Sequence, residues 1–254
     1  MKKILFALLI FMMPIFVFAK EYSIKDINLK MEIDDNYWNV FTRDNYKDNE
    51  LLKSLGVTNE YMENYFTQNN AYVDALPKNY GLDLVVNISN DGVNINNLHN
   101  YPDSFVDDVK KEITKRLDDP ICNVYKRGNY TFLNIYFYDK INNYYIYRYY
   151  TVVNHLAYNF HLQKKTEITD EEKNELKKII DTVEIEIKDE YKEETAEMKK
   201  EIENYNNPKK WWQNILIDAI IGAIVGGLAG LVLKVVKNKK DNKKLENNDE
   251  KSSE

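Results

Sequence analysis

Few residues in this chain are of types that carry chemistry. The three histidines, His99, His155 and His161, and the single cysteine, Cys122, are scattered along 254 residues. A zinc site is signalled by closely spaced histidines or cysteines with a carboxylate in reach, and no H-E-x-x-H or similar spacing occurs. His99 falls in a polar stretch, His155 at a predicted hairpin turn and His161 inside a predicted strand. Cys122 sits in a strand-like run, 121–125, and is expected to be a small buried core residue rather than a nucleophile. The adjacent aspartates Asp34-Asp35, Asp107-Asp108 and Asp118-Asp119 could pair carboxylates for acid–base work. They fall instead at turns or on a polar helix face, where aspartate forms turns and stays solvated. No glycine-rich phosphate loop, G-x-S-x-G elbow or catalytic cysteine signature occurs. No catalytic, cofactor-binding or metal-ligating residue is therefore assigned, and the chain is not expected to be an enzyme.

Composition narrows the classes further. A formal net charge of −6 gives no electrostatic support for nucleic-acid binding. One cysteine permits no internal disulfide, so any exported domain must be held by packing alone. The elements that would position a site lie between two apolar ends. At the start, Lys2 and Lys3 precede an apolar run, 4–17, and Val17-Phe18-Ala19 has the form of a cleavage site, so 1–19 reads as an export signal. Near the other end, 211–236 reads as a transmembrane helix. Between Ile215 and Val236 only Asp218 and Lys234 are charged, and about 20 residues span a bilayer's hydrocarbon core. Trp211 and Trp212 sit at its entry, as interfacial indoles do.

Small residues mark one face of that helix. Gly222, Gly226 and Gly230 recur every four residues, beside a second row of Ala219, Ala223 and Gly227. Such rows let two helix backbones approach closely, so self-association into a homo-oligomer is expected here. Lys237, Lys239, Lys240, Lys243 and Lys244 follow the helix, against Lys209 and Lys210 before it. The positive-inside bias then puts the C-terminus in the cytoplasm and the N-terminal domain outside. The expected layout is an export signal at 1–19, an extracytoplasmic domain at 20–187 and a charged stalk at 188–210. The helix at 211–236 and a disordered cytoplasmic tail at 237–254 complete it. The domain has enough chain for one real core.

Within that domain the hydrophobic periods alternate between two and 3.6 residues. Leu29, Met31 and Ile33 alternate with charge, and 37–43 carries Trp38, Val40 and Phe41; the two runs, joined by Asp34-Asp35-Asn36, read as an opening hairpin. A short helix ends at Gly56, and Thr58 caps another with Tyr61, Met62, Tyr65 and Phe66 at helical spacing. Strands follow at 71–76 and 82–89, then a loop at 93–102. Ser104 is expected to cap a helix over 105–117, with Phe105, Val109, Ile113 and Leu117 as its stripe. Four strands at 121–126, 130–138, 144–153 and 156–163, joined by hairpin-length links, make an antiparallel meander. Thr169 with Glu172 forms a capping box for a helix to Thr182, and Val183, Ile185 and Ile187 alternate as a last strand. The meander is rich in tyrosine. Tyr144, Tyr145, Tyr147, Tyr149 and Tyr150 share one strand, which implies one face on the core and one partly wet aromatic face.

This order of elements resembles PsbP-like domains. The resemblance runs from about Tyr22 to Ile187 and rests on 29–38 and on 149–185. There YYTVVNHLAYNFHL precedes the Thr169-Asp170-Glu171-Glu172 helix and Asp181-Thr182-Val183-Glu184-Ile185. It implies an α+β fold, an antiparallel sheet packed by helices as an α/β/α sandwich, here with the C-terminal transmembrane helix added. It also implies a binding or accessory role without cofactors. The expected function is a single-pass membrane protein whose outer domain engages another envelope protein, with Tyr145, Tyr147 and Tyr149 as the binding surface. The alternative is an extracytoplasmic sensor of a small ligand.

Overall fold

The computed structural model describes residues 19–89, 95–115 and 117–189. The expected export signal up to residue 18 and everything from 190 onward lie outside the described residues. That includes nearly all of the stalk, the transmembrane helix and the tail.

Among the described residues ten strands form two antiparallel sheets. The larger has the order β3 (Trp38–Thr42), β4 (Ala71–Pro77), β5 (Asp83–Ser89), β9 (Leu156–Lys164), β8 (Tyr144–Val153), β7 (Tyr130–Asp139) and β6 (Ile121–Arg127). The smaller joins β1 (Lys20–Ile24), β2 (Leu29–Ile33) and β10 (Glu184–Ile185). The α-helices of the described residues, α1 (Glu50–Ser54), α2 (Asn59–Gln68), α3 (Asp103–Thr114) and α4 (Asp170–Ile180), pack on these sheets. The architecture is α+β, and the meander β6–β9 stands where the alternation predicts it.

Both faces of the large sheet are covered. On one face, α1 and α2 set Leu52, Met62 and Phe66 against Phe41, Leu76 and Val85. Beside them, α3 sets Phe105, Val109 and Ile113 against Leu133, Ile135 and Tyr150, with Leu117 packed at the margin. On the other face, α4 and the small sheet enclose Trp38, Phe160 and Leu162 with Met31, Ile33, Leu176 and Ile180. Each such side chain removed from water contributes about 1.5–3 kcal/mol, which is how a chain without disulfides holds its fold. Coverage on both sides also explains why β4 and β9 are buried almost throughout instead of alternating. The layers are tied together by Tyr158 on β9, whose buried hydroxyl donates to the carbonyl of Ile27 at 2.7 Å.

The local signals act as expected at several ends. Asn49 caps α1 through its side chain, Thr58 caps α2, and Gly56 takes the left-handed conformation between them, φ 75°. At α4 the capping box is complete: Thr169 accepts from the Glu172 N–H and Glu172 accepts from the Thr169 N–H at 2.7 Å.

Four readings are corrected. The opening hairpin does not form. β2 pairs with β1, Tyr22 opposite Met31, and with β10, Ile185 opposite Leu29, while β3 crosses to β4, Phe41 opposite Asp74. The Asp34 carbonyl accepts from the N–H groups of Tyr37 and Trp38, and this turn carries the chain from one layer to the next. Alternation assigns a strand its period but not its partner. Secondly, α3 starts at Asp103 after Pro102, with no side-chain cap, so Ser104 is not the cap. Pro102, at φ −61° and ψ 154°, fixes the entry. Thirdly, only Glu184 and Ile185 of the last run join a ladder. Fourthly, the stretch read as a polar loop buries Ile95, Leu98 and Tyr101 and bridges Asn97 to Val153.

Candidate functional site

The tyrosine strand β8 is explained by its pleat. Its even positions, Tyr144, Ile146 and Tyr150, face the α3 core, and its odd positions face α4. Register continues the odd row across the sheet: Tyr147 lies opposite Tyr136, which lies opposite Ile121, while Tyr145 lies opposite Tyr138. Of the three tyrosines expected on an outer surface, Tyr145 and Tyr147 are half-buried, and Tyr149 is a core residue at 3% exposure. Tyr149 stands edge-on to Phe132 and Tyr125, and its hydroxyl lies 3.3 Å from that of Tyr147. The wet aromatic face is thus confined to one end of the strand, because α4 and the small sheet cover the rest.

At that end the neighbouring strand supplies the residues that sequence reasoning missed, Tyr136 and Tyr138. Tyr136 stacks on Tyr145 with centroids 6.3 Å apart, and Tyr138 packs on Tyr145 at 4.8 Å. Lys173 of α4 holds its ammonium 4.8 Å from the centre of the Tyr136 ring. Burial pushes the hydroxyl of Tyr136 above the ordinary tyrosine value. The cluster therefore offers flat apolar surface, hydroxyl groups and an adjacent cation. That chemistry suits recognition, not proton transfer.

A second group lies inside. On the face covered by α1, α2 and α3, between the two cores they form, a polar seam crosses the middle strands. Asp83 is opposite Gln163, which donates to it at 3.0 Å; Arg148 is opposite His161; Asp74 lies one strand beyond, opposite Val85. All are buried, and Tyr65 of α2 hydrogen-bonds Asp74. Burial, reinforced by the neighbouring guanidinium, pushes the His161 imidazole down to about 3. Burial also lowers the Arg148 guanidinium to about 10, still a cation at neutral pH, and it lies 5.6 Å from the Phe137 ring centre. His161 is thus a neutral interior group, not a general base. Asp74, Asp83 and Arg148 are each the single charged residue of a largely apolar strand, and only the pairing register brings them together. A charge at a core-facing strand position was the one signal available.

The other chemistry-bearing residues do not converge. His99 sits in a 3-10 turn with Nδ1 3.3 Å from the Thr131 hydroxyl, and burial lowers its pKa. His155 is exposed at the β8–β9 turn in the left-handed region, φ 64°. Cys122 is half-buried on β6 against the α3 core, and burial pushes its thiol up to about 11. Asp34 and Asp35 serve the first crossover, Asp35 accepting from Tyr22. Among the described residues no group of three or more histidine, cysteine, aspartate or glutamate side chains could hold a metal ion. An open groove of about 710 Å³ runs between the small sheet and the β6–β7 turn, lined by Lys25, Lys30, Arg127, Tyr130 and Glu184 among others. The helix-association residues Ala219, Gly222, Ala223, Gly226, Gly227 and Gly230 lie outside the described residues. Among the described residues no helix is long and apolar enough to cross a membrane.

Neither a family model nor a curated protein sequence matches the chain. Solved structures similar to it include cyanobacterial PsbP from Synechocystis sp. PCC 6803, with a TM-score of 0.39 and 9% identity over 67% of this chain and 94% of that one. A crystal structure from Bacteroides thetaiotaomicron has a TM-score of 0.38 and 14% identity; it covers 68% of this chain, which spans 50% of its length. A protein of unknown function from Pseudomonas aeruginosa has a TM-score of 0.31 and 9% identity over 67% of this chain and 99% of that one.

Proposed function

We propose that this chain is a non-enzymatic, single-pass membrane protein whose outer domain, 20–187, is a binding or accessory module for another envelope protein. One observation carries the reading: four tyrosines, Tyr136, Tyr138, Tyr145 and Tyr147, lie together half-exposed at one end of the large sheet. Large rigid rings with a polar tip supply contact area at low entropic cost, which is why tyrosine is enriched at interfaces. The apolar run 211–236 would hold the domain at the membrane, and its face of small residues would bring copies together.

In-cell photo-crosslinking from position 145 of the full-length chain tests the reading. A specific envelope protein should be captured. Tyr138→Ser with Tyr147→Ser should lower that yield about tenfold while circular dichroism stays unchanged. Equal capture by the double variant rejects the surface. A second reading, a sensor of a small ligand, is favoured by the groove beside Lys25, Lys30 and Arg127. It requires a thermal shift of the protein with an envelope extract, abolished by Lys30→Glu.

A further inference from the structure

β6 closes one edge of the large sheet, and none of its residues is buried. It carries Ile121 and Val124, large apolar side chains exposed at 61% and 38%. They project to opposite faces, Ile121 in the row of Tyr136 and Val124 in the row of Leu133. A free edge presents backbone donors and acceptors to any further strand. The opposite edge, β3, is better protected, with Trp38, Phe41 and Thr42 buried.

We propose that β6 pairs antiparallel with β6 of a second copy of this chain, about a two-fold axis through Asn123, so that two seven-stranded sheets become one. The strand is self-complementary. A two-fold axis perpendicular to a sheet keeps each side chain on its own face, so only residues an even number apart can oppose each other. Centred on Asn123, the pairing sets Ile121 against Tyr125 on one face and Cys122 against Val124 on the other. Apolar meets apolar on both faces. Neighbouring registers lose this. An axis through Val124 sets Ile121 against Arg127 and Cys122 against Lys126, and one through Cys122 sets Val124 against Pro120. The inference is independent of the tyrosine surface.

The test places a cysteine on the axis of the full-length chain. Asn123→Cys in a Cys122→Ser background, oxidised in cells with copper phenanthroline, should give a disulfide-linked dimer. Its yield should exceed about tenfold that of Ile141→Cys in the same background, a position 91% exposed in the β7–β8 turn. The native chain, with Cys122 facing Val124, should crosslink as weakly as that control. Ile121→Lys with Val124→Lys, placed in the crosslinking background, should abolish the dimer. Equal yields from positions 123 and 141, or a dimer that survives both lysines, would overturn the pairing. A different protein crosslinked at position 123 would overturn it as well.

Discussion

His161 makes the interior of this domain sensitive to acid. It lies on β9 with Arg148 opposite on β8, Val85 opposite on β5 and Asp74 one strand further. Burial, with that guanidinium, holds the imidazole at about 3, against about 6.5 for an unfolded histidine. A depressed folded value means that the native state stays neutral while the unfolded chain takes up a proton below pH ~6.5. The stabilisation is complete above that value and is lost as pH falls toward about 3. Integrating the linkage between pH 7 and pH 5 gives a loss of about 2 kcal/mol, with a limiting slope near 1.4 kcal/mol per pH unit. Exposed carboxylates, at about 4, contribute little in that window. Urea titrations of the wild type and His161→Gln at pH 7, 6 and 5, followed by circular dichroism, measure it. The difference between the two proteins cancels His99, whose burial acts in the same direction. The wild type should lose about 2 kcal/mol more than the variant across the window. Equal slopes in both would refute the claim that His161 is buried in its neutral form.

Three smaller perturbations test the packing. Tyr158→Phe strands the buried Ile27 carbonyl, which accepts from the hydroxyl at 2.7 Å, and should cost about 1–2 kcal/mol in urea denaturation. Thr169→Ala removes one half of the capping box of α4 and should cost about 1 kcal/mol; no change would show that Glu172, which also holds Lys164 at 2.6 Å, suffices alone. Alkylation of Cys122 by iodoacetamide at pH 8 should run more than about tenfold slower than that of free cysteine, because its thiol is pushed up to about 11. A rate matching free cysteine would mean that the thiol is not buried against α3.

The seam also bears on the register of the middle strands. Gln163 meets Asp83 only when β5 and β9 pair as observed. A one-residue slip of β9 would turn His161 and Gln163 onto the apolar face shared with Phe160 and Leu162. A buried polar group turned into an apolar layer costs several kcal/mol, so the seam disfavours alternative pairings even where it adds little net stability.

Local order was legible in the residues alone. The four-strand meander, the Asn49 helix, the Thr58 and Thr169 caps and the stripe of Phe105, Val109 and Ile113 follow from periods of two and 3.6 and from caps that act over three or four residues. Partnership was not legible. The alternation in 29–33 and 38–42 describes two strands equally well as a hairpin or as members of separate sheets, and a turn at Asp34 decided between them. The tyrosine surface divided for the same reason. Tyr145, Tyr147 and Tyr149 share one side of their strand in any fold, but the layer of α4 and the small sheet buries Tyr149 and leaves the other two half-exposed. Tyr136 and Tyr138 join them from a different strand. Asp74, Asp83, Arg148 and His161 are far apart in the chain and become neighbours only through the register of β4, β5, β8 and β9. Side-chain period is a property of a segment, whereas burial and neighbourhood are properties of the layers that close over it.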